Sequence, residues 1–368
     1  MKITKVETIY LRVPLSRPVN MSIGLVSKVD HVIVKIFTDE KIVGVGEAAS
    51  EQGPIFSEEF QKSINNVIKD YIGPALVGET PSEIEKILDK MDRVAKGNWF
   101  AKSAVEMALY DIVGKAWGVP AYQLLGGLYR NKAILAGFAS SMDPERDAEL
   151  AMNAVKEGRK LIKMKVGAVD SKIDIERVKA VRKNVSIDIP IIVDANGAWR
   201  AEEAIRIIKQ IEDYNIIVEQ PVPRGDDRGL RKIRNTVKAP IMLDESVFSP
   251  QDAINAIINE TADIFSIKIP KAGGLYRAKK IAAIAEATGI ACFVGGMAEL
   301  GIGIAAGLHF VMSTRNIKYG TELEPNNAPH GIVTPDIKVE EGYIYAPEGI
   351  GLGANLNEDE LQKYRVDI

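Results

Sequence analysis

Eight short apolar runs, most separated by stretches with helical character, constrain this 368-residue chain more than any other feature. They begin with Ile134-Leu135-Ala136-Gly137-Phe138, Leu161-Ile162-Lys163-Met164-Lys165-Val166 and Pro190-Ile191-Ile192-Val193-Asp194. Ile216-Ile217-Val218-Glu219, Pro240-Ile241-Met242-Leu243-Asp244 and Ile264-Phe265-Ser266-Ile267-Lys268 follow, and the last two are Ile290 to Val294 and Ile317 to Gly320. Helix-like segments such as 201–212 and 251–259 lie between them. Strand then helix, repeated, specifies a parallel sheet covered by helices. The competing arrangement is an open doubly wound sheet. A count of eight, and no Gly-x-Gly-x-x-Gly after the first run, favour a closed barrel.

The first third has a different rhythm. Val32-Ile33-Val34-Lys35-Ile36 and Ile42 to Glu47 alternate as strands do, and residues 18–24 and 48–56 read as loops between such runs. Thr80-Pro81-Ser82-Glu83 has the form of a capping box, with Ile84, Ile87, Leu88 and Met91 forming one helical stripe after it. Another helix is expected from about Lys102 until Gly118-Val119-Pro120 stops it. The chain therefore divides into an α+β lobe over 1–130, a barrel over 131–325, and a tail over 326–368 that is free to return to the first lobe.

Hydrophobic residues make up 46% and charged residues 26%, the profile of a packed globular protein. With 47 Lys+Arg against 50 Asp+Glu the net charge is −3, which argues against a nucleic-acid or membrane-surface partner. Cys292 is the only cysteine and the first residues lack a signal-peptide core, so a cytoplasmic location is expected. No uncharged apolar run approaches the roughly 18 residues that span a bilayer.

Ionisable residues stand where a barrel strand should be apolar. Lys163 and Lys165 end the second run, Asp194 the third, Glu219 the fourth, Asp244 the fifth and Lys268 the sixth. The three acids are each 25 residues apart, one βα unit, which places them at one level of adjacent strands. Three buried carboxylates repel unless a cation joins them, and an all-oxygen set without His or Cys points to Mg²⁺ before Mn²⁺. One such acid alone is more simply a helix cap; three at one level favour the metal. Lys163 and Lys165 share a strand face, and Lys268 lies across an eight-stranded ring from them. A second ammonium, a dication and desolvation would lower a lysine's pKa enough for it to act as a base. Proton abstraction beside a carboxylate, through an enediolate, is the chemistry this arrangement suits.

Lys163-Met164-Lys165, Asp194-Ala195-Asn196, Glu219-Gln220-Pro221, Asp244-Glu245-Ser246 and Lys268 together resemble the enolase superfamily, muconate lactonizing enzyme (muconate cycloisomerase) subgroup. Asn98 to Ala104, Leu124 to Gly127, Gly295-Gly296-Met297 and Gly349 to Gly353 extend the resemblance along the chain. It implies an enolase-like fold, a (β/α)7β TIM-like barrel with an α+β capping domain. It implies Mg²⁺ on Asp194, Glu219 and Asp244, with Lys165 and Lys268 as the acid/base pair and Lys163 as their electrostatic neighbour. Loops 18–27 and 50–58 would close over a small carboxylate substrate, touched by Ile23, Phe56, Asn196, Glu245, Gly296, Met297 and Glu299. Glu299 would equally serve by holding a basic group of the scaffold. A homo-oligomer is also implied.

The mandelate racemase branch carries a histidine at the end of strand seven; here that strand ends Val294-Gly295-Gly296, and the histidines are His31, His309 and His330. The leading expectation is an isomerase of muconate-cycloisomerase type. The alternatives are a racemase or epimerase of an N-acyl amino acid, dipeptide or proline derivative, and o-succinylbenzoate synthase. A phosphate-handling barrel and a barrel with a purely structural metal are the rival readings outside this chemistry.

Overall fold

The computed structural model describes residues 1–21, 24–50 and 53–367. The chain opens with an antiparallel sheet of β1 (Ile3–Met21), β2 (Gly24–Thr38) and β3 (Val43–Ser50), in that spatial order. The first two strands are longer than the sequence led us to expect. Pairing breaks between Pro14 and Val19, then resumes as Val19↔Val26 and Met21↔Gly24, so much of the expected 18–27 loop is a hairpin extension. Prolines 14 and 18 cannot donate to the ladder, which is why the interruption falls there.

The Ile84–Val94 helix begins after the proposed capping box rather than within it, because the Thr80 hydroxyl accepts from Lys2 Nζ (2.9 Å) instead of capping. The Trp99–Trp117 helix starts three residues earlier than expected and is buried along nearly its whole length. It lies so close to β3 that a methyl group on Gly44 or Gly46 would overlap the Ala108 or Ala104 carbonyl.

After β4 (Lys132–Ile134) comes the larger sheet. Its strands are β5 (Gly137–Phe138), β6 (Ile162–Lys165), β7 (Ile191–Asp194), β8 (Ile216–Glu219), β9 (Ile241–Leu243), β10 (Ile264–Ile267), β11 (Ala291–Val294) and β12 (Ile317–Thr321). Neighbours follow sequence order and every pairing is parallel. A parallel bridge, Leu135↔Thr321, and a bond from Ala136 N to Thr321 O (2.9 Å) join the two outer strands. A helix connects each strand of this sheet to the next.

Ala136, Leu161, Ile192, Ile217, Met242, Ile264 and Phe293 form the core inside the sheet. Because side chains alternate along a strand, the residue two places further on points inward as well. Those residues include Lys163, Asp194, Glu219, Asp244, Ser266 and Gly295. The apolar plug thus gives way, one step up, to charge.

Three buried acids of the first lobe bond to backbone amides elsewhere. Glu47 accepts from Leu300 N (2.7 Å) and Gly303 N (2.8 Å) at the start of the Gly301–Ser313 helix. Glu106 accepts from Leu275 N and Tyr276 N at the start of the Leu275–Ala287 helix. A carboxylate is favoured at a helix N-terminus, where amides and dipole point at it. Asp111 accepts from Val45 N and Leu352 N, both at 3.0 Å. The tail also returns: Arg12 N bonds Tyr364 O (2.9 Å) and Val366 N bonds Tyr10 O (3.1 Å). No helix among the described residues is long and apolar enough to cross a membrane.

Two expectations follow. Gly46→Ala forces its methyl onto helix backbone and should destabilise the protein by about 3 kcal/mol, read from the urea midpoint; an unchanged midpoint would refute the contact. His309 Nδ1 accepts from Tyr122 N (3.1 Å) and Nε2 faces Leu352 O (3.1 Å), an arrangement that holds the ring neutral. Burial pushes its pKa down to about 4 from 6.5. Below pH 6.5 the unfolded chain takes up a proton that the folded chain refuses. Stability should therefore fall by about 1.4 kcal/mol per pH unit until pH nears 4. His309→Gln should lack this component in parallel melts; identical slopes would assign it elsewhere.

Candidate active site

The upper ends of β6 to β11 bring the expected charges together. Lys165 pairs in register with Asp194, and Asp194 with Glu219. Asp244 lies two residues beyond Met242, the register partner of Glu219. Equal spacing in sequence is therefore not equal register. Strands of a closing sheet are staggered, so the acid that joins the others comes from just past its strand.

All three acids are buried, and so are Lys163 and Lys268. Lys163 Nζ stands 2.8 Å from Glu219 Oε2, 3.1 Å from Asp194 Oδ2 and 2.6 Å from Glu322 Oε2. Lys165 Nζ donates to Asp194 Oδ2 (2.7 Å) and Asn196 Oδ1 (3.0 Å). Lys268 Nζ lies 2.7 Å from Asp244 Oδ2, and Lys271 Nζ 2.7 Å from Asp244 Oδ1. No three His, Cys, Asp or Glu side chains among the described residues stand together in metal-ligating geometry; each acid faces an ammonium instead.

The lowered lysine pKa values expected from sequence are not what this charge distribution produces. Burial pushes Lys163 and Lys268 down, but the facing carboxylates, Glu219 for the first and Asp244 for the second, outweigh it and hold both above their ordinary value. Glu219 bears the opposite strain: burial, then Asp194, push its carboxyl up to about 8. Glu219 Oε1 is buried with no partner, while Glu219 Oε2 and Asp244 Oδ2 are answered only by the ammonium groups of Lys163 and Lys268. An all-oxygen set with an unanswered buried carboxylate oxygen fits a hard divalent cation. Asp194, Glu219 and Asp244 are the residues that would hold it.

A polar frame fixes the strand ends. Gln220, at φ +37, donates from Nε2 to Val222 O (2.9 Å) and Ser246 Oγ (2.8 Å). Its Oε1 accepts from Asp244 N (3.1 Å) and Ser246 N (3.2 Å). Asn196 donates to Glu245 Oε1 (3.0 Å), which places Glu245 behind Asn196.

Lys165, Asn196, Lys268, Gly296, Met297, Glu299 and Phe56 line one cavity of about 100 Å³. Of the expected substrate contacts, Glu245 is absent from this lining and Ile23 lies outside the described residues. Leu15, Val19, Val26 and Val29 supply an apolar wall from the hairpin. Phe56 covers the Lys268 ammonium, 4.4 Å from ring centre to Nζ, and stacks on Phe248 at 6.1 Å. Glu299 is held by Met297 N (2.7 Å), and burial pushes its pKa up to about 7.

Three further participants were given no site role by sequence reasoning. Glu322 bonds Gly296 N (2.9 Å) while pairing with Lys163. Glu324, also on the cavity wall, is paired with the buried Arg159 at 2.7 Å. Lys271 stands one helical turn after Lys268, and that Lys-x-x-Lys spacing was the available signal.

Comparison with known proteins agrees with this geometry. Residues 4–126 match the family described as mandelate racemase / muconate lactonizing enzyme, N-terminal domain, and residues 146–360 match the enolase C-terminal domain-like family. The chain belongs to this mandelate racemase / muconate lactonizing enzyme family of the enolase superfamily, and it is an isomerase. It is 40% identical over 320 residues to the L-Ala-D/L-Glu epimerase of Bacillus subtilis, covering 86% of this chain and 87% of that one. The structure of muconate lactonizing enzyme from Pseudomonas fluorescens, complexed with muconolactone, superposes with a TM-score of 0.96 at 30% identity, covering 99% of both chains. A dipeptide epimerase from Enterococcus faecalis, complexed with Mg and the dipeptide L-Leu-L-Tyr, gives 0.91 at 36% identity, covering 96% of this chain and 100% of that one.

Gln220→Ala leaves several buried polar groups at the ends of β8 and β9 without partners. It should cost about 3 kcal/mol in denaturant unfolding. A loss below about 1 kcal/mol would show that the frame does not depend on it.

Proposed function

We propose that this chain is a Mg²⁺-dependent racemase or epimerase of an amino-acid derivative, acting on the carbon beside a carboxylate within a (β/α)7β barrel. The observation that carries this reading is that Lys165, on β6, and Lys268, just past β10, face one cavity from strands four apart in a ring of eight. Two amines so placed reach opposite faces of one carbon, so a proton removed on one side is replaced from the other.

Asp194, Glu219 and Asp244 would hold Mg²⁺, with Mn²⁺ as the substitute. When bound, the cation supplies positive charge to the substrate's carboxylate oxygens and lowers the barrier to the enediolate. Charge on these acids would then no longer hold the lysines' pKa values up. Lys163, wedged between Asp194, Glu219 and Glu322, contributes a fixed positive charge near the enediolate. Asn196 positions Lys165, and Phe56 shields Lys268.

The cavity disfavours a second carboxylate. Among the described residues lining it, the cations are Lys165 and Lys268, and the acids are Glu299, Glu322 and Glu324. A muconate dianion would meet those acids. An amino-acid derivative with one carboxylate and an apolar substituent fits the hairpin wall better. Cycloisomerisation is the second reading, favoured by the 0.96 superposition on the muconolactone complex.

The test is α-proton exchange in heavy water with Mg²⁺, across N-acyl amino acids, dipeptides, proline derivatives and cis,cis-muconate. Exchange at an α-carbon with loss of optical purity is expected for one of the first three. Lys165→Ala and Lys268→Ala should each lower exchange of one enantiomer by about 10³-fold. Both should keep the Mg²⁺-induced rise in melting temperature, and Asp244→Asn should lose it. Muconate lactonised, with no amino-acid derivative exchanged, would replace this reading by the second.

A further inference from the structure

Lysine has four rotatable bonds in its stem, and a base that must meet one particular C–H bond needs that freedom removed. Lys165 is fixed at its tip by two hydrogen bonds. Lys268 is held differently. Its ammonium lies between Asp244 and the Phe56 ring, and its stem crosses the inner face of β10 and β11. At that crossing stands Gly295, directly after β11. A β-carbon on Gly295 would lie 2.8 Å from Lys268 Cε, 2.9 Å from Lys268 Cγ and 2.9 Å from Ser266 Oγ. All three atoms belong to side chains, whereas a methyl on Gly46 would strike backbone. Gly295 also lies outside the left-handed backbone region, so its φ makes no demand for glycine. What requires glycine here is the volume that the lysine stem and the Ser266 hydroxyl occupy.

We propose that Gly295 is a positioning residue for Lys268: its missing side chain forms the floor of a slot, walled by Ser266 and roofed by Phe56, that fixes which face of the substrate this amine can reach. The inference rests on the lysine pair of the proposed function, and it goes further by separating how the two amines are held. Gly295→Ala should leave the fold in place and swing the Lys268 stem out of its slot. Misplacing a reacting group by about 1 Å can cost about 10²-fold in rate.

The experiment follows deuterium entry into the L- and D-forms of the derivative that exchanges fastest, in Gly295→Ala, Lys268→Ala and the double variant. Gly295→Ala should slow by about 10²-fold the same enantiomer that Lys268→Ala impairs, and leave the other within about twofold. Adding Gly295→Ala to Lys268→Ala should bring no further loss. Equal slowing of both enantiomers, or no slowing, overturns the proposal. A thermal-melt cycle on the metal-free protein decides the matter independently of turnover. Gly295→Ala should lower the melting temperature in the presence of Lys268 and have little effect once that stem is removed. Equal destabilisation in both backgrounds, or failure of both to fold, would mean that Ser266 or the backbone, and not the lysine, needs the glycine, and would overturn the slot. If Lys268→Ala exchanges both enantiomers normally, the proposed function fails, while the melt cycle still tests the slot.

Discussion

Buried charge at the mouth of the barrel is the constraint around which this molecule is arranged. Three carboxylates and their facing ammonium groups sit just above an apolar plug, where an uncompensated ion costs several kcal/mol. Withdrawing Lys163 would leave Glu219 without a facing ammonium, and withdrawing Asp244 would leave Lys268 and Lys271 without their acid. Lys163 alone answers to three acids, and Asp244 to two lysines. Such a set has little freedom to reorganise, and groups fixed before the reaction are what stabilises developing charge most effectively.

That rigidity depends on the parallel sheet beneath. Because side chains alternate, one apolar layer sets the direction of the charged layer above it, and the Gln220 frame stitches the loops of β8 and β9 so that Asp244 stays beside its partners. The first lobe adds a second kind of restraint. Glu47 and Glu106 accept from backbone amides at the starts of two barrel helices, which seats the lobe over the mouth. The charged layer is thereby carried by the barrel, and much of the apolar wall of the cavity by the hairpin. The wall can then change without disturbing the charged layer.

The barrel was legible because its signals are local: period-two apolar runs, helical stripes between them, and ionisable residues where an inward position should be apolar. Lys163, Lys165, Asp194, Glu219, Asp244 and Lys268 were each visible as violations of that pattern. What stayed hidden depends on long-range placement. The stagger that puts Asp244 two residues beyond the register of Glu219 is a property of the closing sheet, not of spacing. Glu322 and Arg159 find their partners more than a hundred residues away in sequence. In the hairpin, residues 18–24 read as a loop, yet pairing resumes at Val19 and Val26. Thr80 looked like a cap until the N-terminal Lys2 took its hydroxyl.

The two cavity lysines show that amines facing one cavity need not be held alike. Lys165 ends a strand, where backbone pairing has already fixed its Cα, so two hydrogen bonds at its tip suffice to place the amine. Lys268 is the first residue after its strand and opens a short helix, so its position is set less by the ladder. It is surrounded instead: an acid at its tip, an aromatic face above and a glycine below. Bonding directs the first amine and shape confines the second. Both solutions meet at one cavity because the strands that carry them stand across the same ring.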